Sequence, residues 1–186
     1  MNKRSLITIP LVVGFIASVA WLWLSPSGIS QAPDIKLTIT DGSIIDLKQL
    51  RGNPVLVTFW ATSCIGCVRE MPHLIALYDE LSEDGLEIIG VAMPYDPPNH
   101  VVKMISEREI PYPIAIDIEG NAVVAFGDVL VTPTSFLIAP DGTISKHTIG
   151  EMDMNELRDT IISMLPKEST SQNTVTGLSP VSTPSS

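Results

Sequence analysis

Val55–Trp60 and Glu87–Met93 are nearly continuous apolar runs, as expected of strands buried on both faces of a sheet. Ile35–Thr40 and Ile44–Leu47 flank Asp41-Gly42, and Ser135–Ala139 and Thr143–Ile149 flank Pro140-Asp141-Gly142. Each is an alternating or apolar pair of segments around turn residues, the pattern of a β-hairpin. Between the two continuous runs a helix is predicted from about Cys64 to Ser82, stopped near Asp84-Gly85. Asn99–Arg108 reads as a second helix, Tyr112–Ile116 as a short strand and Asn121–Phe126 as a short helix. Met152–Leu165 carries apolar residues at 154, 157, 161, 162 and 165, the stripe of an amphipathic closing helix. A hairpin, a β-α-β unit, further helices, a second hairpin and a last helix predict an α/β fold. Its centre is a mixed sheet with helices on both faces.

The longest apolar run has a different period and a different meaning. Leu6 to Leu24 is uncharged over 19 residues, roughly 28 Å as a helix at about 1.5 Å per residue, against a hydrocarbon core about 30 Å thick. Lys3 and Arg4 precede it, Pro10 lies near its start, and Trp21 and Trp23 lie at its far end, where indoles favour the membrane interface. Residues 1–5 are therefore expected in the cytoplasm, 6–24 as a single-pass anchor in a bacterial cytoplasmic membrane, and the remainder in the periplasm or another extracytoplasmic space. Ser18-Val19-Ala20 offers a signal-peptidase site instead, but the apolar run continues four residues past it. Residues 25–33, with two prolines, a glycine and serines, read as a linker. Residues 34–165 read as the folded domain, and 166–186, rich in Ser, Thr and Pro, as a disordered tail.

Charge narrows the partners. The net charge is −10, and the chain beyond Arg4 is more acidic still. Such a surface argues against nucleic acid as a partner and is consistent with solubility.

The chain has two cysteines, Cys64 and Cys67, in the sequence Cys64-Ile65-Gly66-Cys67. They fall where a buried strand gives way to a helix, the edge at which α/β proteins place their active sites. A thiolate attacks disulfides, and the free N–H groups and dipole of a helix start stabilise one. Cys64 is therefore expected as the partly exposed attacking sulfur. Cys67, one turn on and further inside, is expected as the sulfur that resolves the mixed disulfide. Gly66 is expected to leave room for a substrate backbone. A structural disulfide over so short a loop would constrain the unfolded chain little. Zinc would need more ligands than the pair and the scattered His73, His100 and His147 supply. A copper-binding assembly chaperone using the two thiols is the alternative function.

Two further residues stay open on spacing alone. Glu70, one turn after Cys67, is either a solvated carboxylate or a partly buried group that takes and returns the Cys67 proton. A negative neighbour there would raise the thiol pKa and make the couple more reducing, pointing to a reductant. Thr132-Pro133 precedes the strand-like run Ser135–Ile138, and the ordinary reading of the bond is a trans turn.

Phe59-Trp60-Ala61-Thr62-Ser63-Cys64-Ile65-Gly66-Cys67-Val68-Arg69-Glu70-Met71-Pro72 resembles the active-site block of the TlpA/ResA/DsbE group of thioredoxin-like proteins. Val131–Ile138 is similar to that group's cis-proline segment, and Pro140-Asp141-Gly142 to its following turn. The resemblance covers about residues 34–165. It implies a thioredoxin-like fold with an N-terminal hairpin extension, a cis Pro133 packed on the Cys pair, and a Thr132 backbone that pairs with substrate. It also implies that Glu70 is catalytic and that Trp60 belongs to the substrate side of the site. It implies a membrane-tethered reductase of protein disulfides, with no cofactor beyond the Cys64–Cys67 disulfide. Many members serve cytochrome c maturation and draw electrons from a membrane thiol carrier. The chain departs from the pattern at Ser63, where the group usually has Trp, and at Ile65-Gly66, where Pro is common in the second place. A peroxidase of the related redoxin group would carry Thr or Ser at 61 and Pro at 57; here these are Ala61 and Val57.

Overall fold

The computed structural model describes residues 31–166. The predicted anchor at 6–24, its flank at 1–5, most of the linker and the tail from 167 onward lie outside the described residues. Among the described residues no helix is long and apolar enough to cross a membrane.

The elements follow the predicted order. They are β1 (Lys36–Thr38), β2 (Ile44–Asp46), a 3-10 turn (Leu47–Leu50), β3 (Val55–Trp60), α1 (Ile65–Leu81) and β4 (Glu87–Ala92). Then come α2 (Pro98–Arg108), β5 (Ile114–Ile116), α3 (Asn121–Ala125), β6 (Thr134–Ile138), β7 (Ile144–Ile149) and α4 (Met154–Met164). Five strands form one sheet in the order β5-β4-β3-β6-β7. β3 and β4 run parallel, as do β4 and β5, whereas β6 is antiparallel to β3 and to β7. The sheet is therefore mixed, and β3 is its middle strand.

Every residue of β3 is buried, which is why its run shows no polar alternation. Its two faces feed two cores. Leu56 and Trp60 pack with Cys67, Met71, Leu74, Leu77 and Leu81 of α1 and with Leu157 and Ile161 of α4. Val55, Val57 and Phe59 pack with Leu37 and Ile39 of the hairpin, Phe126 after α3, and Phe136. Phe59, Phe126 and Phe136 pack ring against ring, with centroids 4.9–6.0 Å apart. The β1–β2 hairpin forms its own two-stranded sheet and touches the edge of β5 through a bridge between Ile39 and Ala115.

The structure departs from the sequence reading in three places. The linker ends earlier than residue 33, because Gln31 bridges Thr143 and the Ala32 N–H bonds the Gly142 carbonyl. The strand expected from Tyr112 begins at Ile114, since Pro113 has no N–H to give a ladder. Ile162 in α4 is 42% exposed. The stripe that reaches the core is Leu157 and Ile161, with Met154 and Leu165 packed against the same cluster, and Ile162 lies one residue round the helix from it.

Candidate active site

β3 ends at Trp60, and four residues of turn lead to α1. Cys64 is the N-cap of α1: its backbone is extended, with φ −85° and ψ 105°, and its Sγ accepts the Cys67 N–H at 3.1 Å. This residue does with sulfur what Ser or Asp does with oxygen at an N-cap. The same N–H would stabilise a Cys64 thiolate when the pair is reduced, in company with the positive end of the helix. The two sulfurs are joined in a disulfide, with Cα atoms 5.3 Å apart. Cys64 is partly exposed and Cys67 is buried, the order expected of an outer and an inner sulfur.

Three loops converge on this helix start. The first carries Thr132-Pro133, whose peptide bond is cis. A Cβ built on Gly66 would lie 3.5 Å from Pro133 Cδ and 3.3 Å from Glu151 Oε1, so the space beside Gly66 is taken up closely by these two residues. The second loop follows β7. There Glu151 pairs with Arg69 at 2.6 Å on the outer surface, and the Met152 N–H donates to Glu70 Oε1 at 2.7 Å. The third follows β4. Asp96 is buried, and its two carboxylate oxygens accept the Thr62 N–H and the Thr62 hydroxyl, both at 2.6 Å. That pair fixes the turn two residues before Cys64.

Glu70 is 3% exposed, not a solvated carboxylate. Burial pushes its carboxyl above the usual carboxylate range; the Met152 N–H opposes this, Glu151 adds to it, and His73 opposes it. Glu70 shares a small cavity with Thr58, Trp60, Cys67, Met71, Leu74, Tyr112 and Pro133. Tyr112 is buried there too, and burial first and the Glu70 charge second push its hydroxyl far above the ordinary tyrosine value.

Cys64, Cys67, Glu70 and Pro133 thus come together, with Thr132 beside them. Trp60 does not reach the outer face. It is 4% exposed and lines the cavity behind Cys67, because it lies on the α1 face of β3 with Leu56 and Thr58. Asp96, Tyr112 and Glu151 belong to the site's surroundings, and local spacing to the Cys pair marks none of them. Asp96 had a usable signal, since it follows a buried strand at the same sheet edge as Cys64. Among the described residues no three His, Cys, Asp or Glu side chains gather so as to hold a metal ion.

A strand-to-helix Cys pair under a cis-proline on a mixed five-stranded sheet defines a thiol–disulfide oxidoreductase of thioredoxin fold. The chain belongs to the AhpC/TSA family, which it matches over residues 29–147, and within it the kinship is to the TlpA/ResA/DsbE group. It is 34% identical over 137 residues to the thiol-disulfide oxidoreductase ResA of Bacillus thuringiensis subsp. konkukian, covering 73% of this chain and 78% of that one. It is 39% identical over 121 residues to the ResA of Halalkalibacterium halodurans, covering 64% and 68%. The fold is shared with a thiol:disulfide interchange protein of the thioredoxin family from Chlorobium tepidum. That structure has a TM-score of 0.68 at 22% identity and covers 76% of this chain and 100% of its own.

Proposed function

We propose that this protein is a membrane-anchored, extracytoplasmic reductase of protein disulfides. The observation that carries the reading is the placing of the sulfurs. Cys64 caps α1 and accepts the Cys67 N–H, while Cys67 sits inside against a buried carboxylate. In the reduced protein the Cys64 thiolate attacks one sulfur of a substrate disulfide. The substrate's other sulfur leaves as a thiolate and takes up a proton. Cys67 then gives its proton to Glu70 and attacks Cys64 Sγ. The bond from Cys64 to the substrate breaks, the Cys64–Cys67 bond forms, and the second substrate sulfur leaves reduced.

Pro133 and the Thr132 backbone supply the edge on which an extended substrate segment lies beside Cys64. Glu70 holds negative charge close to Cys67, which disfavours the thiolate and so tilts the couple toward reduction. The run 6–24 supports the membrane anchor, and the disulfide-permissive side of that membrane suits the chemistry. The resemblance to the TlpA/ResA/DsbE group, many of whose members serve cytochrome c maturation, supports apocytochrome c disulfides as the substrate class, with two electrons and two protons returned by a membrane dithiol carrier.

Cys67→Ala tests the reading. The variant should accumulate a mixed disulfide through Cys64, and mass spectrometry of the trapped species should show a cysteine-bearing extracytoplasmic protein. No adduct from Cys67→Ala, together with a wild-type phenotype for Cys64→Ser, would remove the basis for this function.

A further inference from the structure

Gly66 has a neighbour that a side chain there would displace. A Cβ on this residue would stand 3.3 Å from Glu151 Oε1, 3.5 Å from Glu151 Cγ and 3.5 Å from Pro133 Cδ. Proline, common at this position in the TlpA/ResA/DsbE group, would press on the Glu151 side chain. Glycine lets the carboxylate lie against the dipeptide between the cysteines. The backbone on either side keeps Glu151 in place. Thr134 is the register partner of Ile149, the Gly150 N–H donates to the Pro133 carbonyl at 2.8 Å, and the Met152 N–H donates to Glu70. Glu151 therefore borders the edge formed by Thr132 and Pro133. Its side chain stays at the surface: Arg69 holds Oε1 at 2.6 Å, with Arg69 65% and Glu151 43% exposed. A carboxylate so held keeps acceptor sites for a further donor.

The charge around this carboxylate has one sign. β3, β4 and β5 run parallel and end at the sheet edge where β6 begins and β7 ends. The segments at that edge, 61–64, 93–97, 117–120, 126–133 and 150–153, carry Asp96, Asp117, Glu119, Asp128, Glu151 and Asp153 and no Lys or Arg. Arg69, reaching over from α1, offsets Glu151, and the other acids keep the local field negative. The net charge of −10 adds a long-range field of the same sign, which draws cationic partners and slows anionic ones.

We propose that Glu151 is a specificity-determining residue: its carboxylate, seated on Gly66 at the border of the Thr132-Pro133 edge, selects disulfides whose cysteine is flanked by Lys or Arg over those flanked by Asp or Glu. The inference rests on the function proposed above and adds the charge of the preferred substrate to it. A substrate segment lying along Thr132 and Pro133 beside Cys64 passes the Glu151 carboxylate. A cation on that segment shares the carboxylate with Arg69. An anion there meets a like charge already in place. Without the Glu151 charge, Arg69 stands unopposed beside the substrate and the selection weakens. Without the Arg69 charge, the carboxylate is free for the substrate and the selection sharpens.

The probes are three capped peptides of one sequence, each with a single cysteine in disulfide linkage to thionitrobenzoate, differing only in Lys, Ala or Glu on both sides of that cysteine. Attack of reduced full-length protein on the peptide sulfur releases thionitrobenzoate, and stopped flow gives the rate constant for each peptide. The quantity read is the ratio of the Lys to the Glu peptide, in which any change in the reactivity of the Cys64 thiolate cancels. The wild type should prefer the Lys peptide, with the Ala peptide between the two. Glu151→Gln should lower the ratio about three- to fivefold, the size of one exposed ion pair. Arg69→Gln should raise it about two- to threefold. Both variants break the same ion pair, so a loop merely loosened by its loss would move the ratio the same way in each. Glu83→Gln makes the same charge change just past the far end of α1, roughly 25 Å from Cys64 at about 1.5 Å per residue, and should move the ratio less than about 1.5-fold. A wild-type ratio near one, a ratio that Glu151→Gln leaves unchanged, or shifts of the same sign in Glu151→Gln and Arg69→Gln would overturn the proposal while leaving the reductase reading intact. Absence of release from all three peptides would instead remove the reductase reading, and this proposal with it.

Discussion

Asp96→Ala should loosen the turn that delivers Cys64 to its helix. Asp96 is 4% exposed and accepts two bonds from Thr62, one from the N–H and one from the hydroxyl, both at 2.6 Å. Hydrogen bonds to a carboxylate contribute about 1.5–3 kcal/mol each. Removing the carboxylate also removes the cost of burying it, so the net loss is about 2–3 kcal/mol. In a folded domain of 136 described residues, each kcal/mol lowers the melting midpoint by about 3–4 °C, which gives a fall of about 6–12 °C. Thr62→Val deletes the hydroxyl bond alone and should cost about 1–2 kcal/mol. The two changes together should fall short of additive by about 1–2 kcal/mol, since they share that bond. Urea unfolding of the four proteins of this cycle measures the coupling. The attack of Cys64 on a small disulfide should slow by up to about tenfold in the same variants, because the attacking sulfur is held less firmly. A midpoint for Asp96→Ala within about 2 °C of the wild type, or strict additivity with Thr62→Val, would refute the reasoning.

Two other changes probe the interior of the site. Burial raises the Glu70 carboxyl, so ionising it in the folded state costs stability. The cost is full above the folded-state pKa and absent below the ordinary unfolded value. Glu70→Gln should therefore be more stable than the wild type at pH 8, with the advantage fading as pH falls through the raised value; urea midpoints from pH 4 to 8 measure it, and a pH-independent difference would count against the assignment. Gly90→Ala places a Cβ against Ile114 Cδ1 and 3.0 Å from Trp60 Nε1, and should cost about 1–3 kcal/mol by overpacking. Adding Ile114→Val, which removes the obstructing methyl, should restore part of that loss, and a double variant less stable than Gly90→Ala alone would show that the clash lies elsewhere.

The parts of the fold legible in the sequence are those set by local pattern. β3 could be read to the residue, Val55 to Trp60, because a strand buried on both faces is apolar at every position but Thr58. Cys64 and Cys67 could be placed because a strand ending before a helix fixes where the helix starts. Glu70 could be paired with Cys67 from its spacing, but whether it was buried could not. That depends on Met152, 82 residues away, which brings its N–H to the carboxylate. Asp96 reaches Thr62 across 34 residues; its place after a buried strand puts it at the active-site edge of the sheet, but nothing local names Thr62 as its partner. The resemblance implies that Trp60, within the active-site block, belongs to the substrate side. Strand alternation decides otherwise, since Leu56, Thr58 and Trp60 share the face that α1 covers. The cis geometry of Thr132-Pro133 followed only from resemblance, because the bond's own residues favour trans.

The central claim is that Cys64 and Cys67 form a reducing couple. Equilibrating the full-length protein with defined ratios of reduced and oxidised thioredoxin or glutathione, and quantifying the thiols by alkylation and mass spectrometry, gives the potential directly. The account predicts a value at or below about −200 mV, in the range of thioredoxin and the glutaredoxins. A value near about −120 mV, that of the strong periplasmic oxidants, would contradict it.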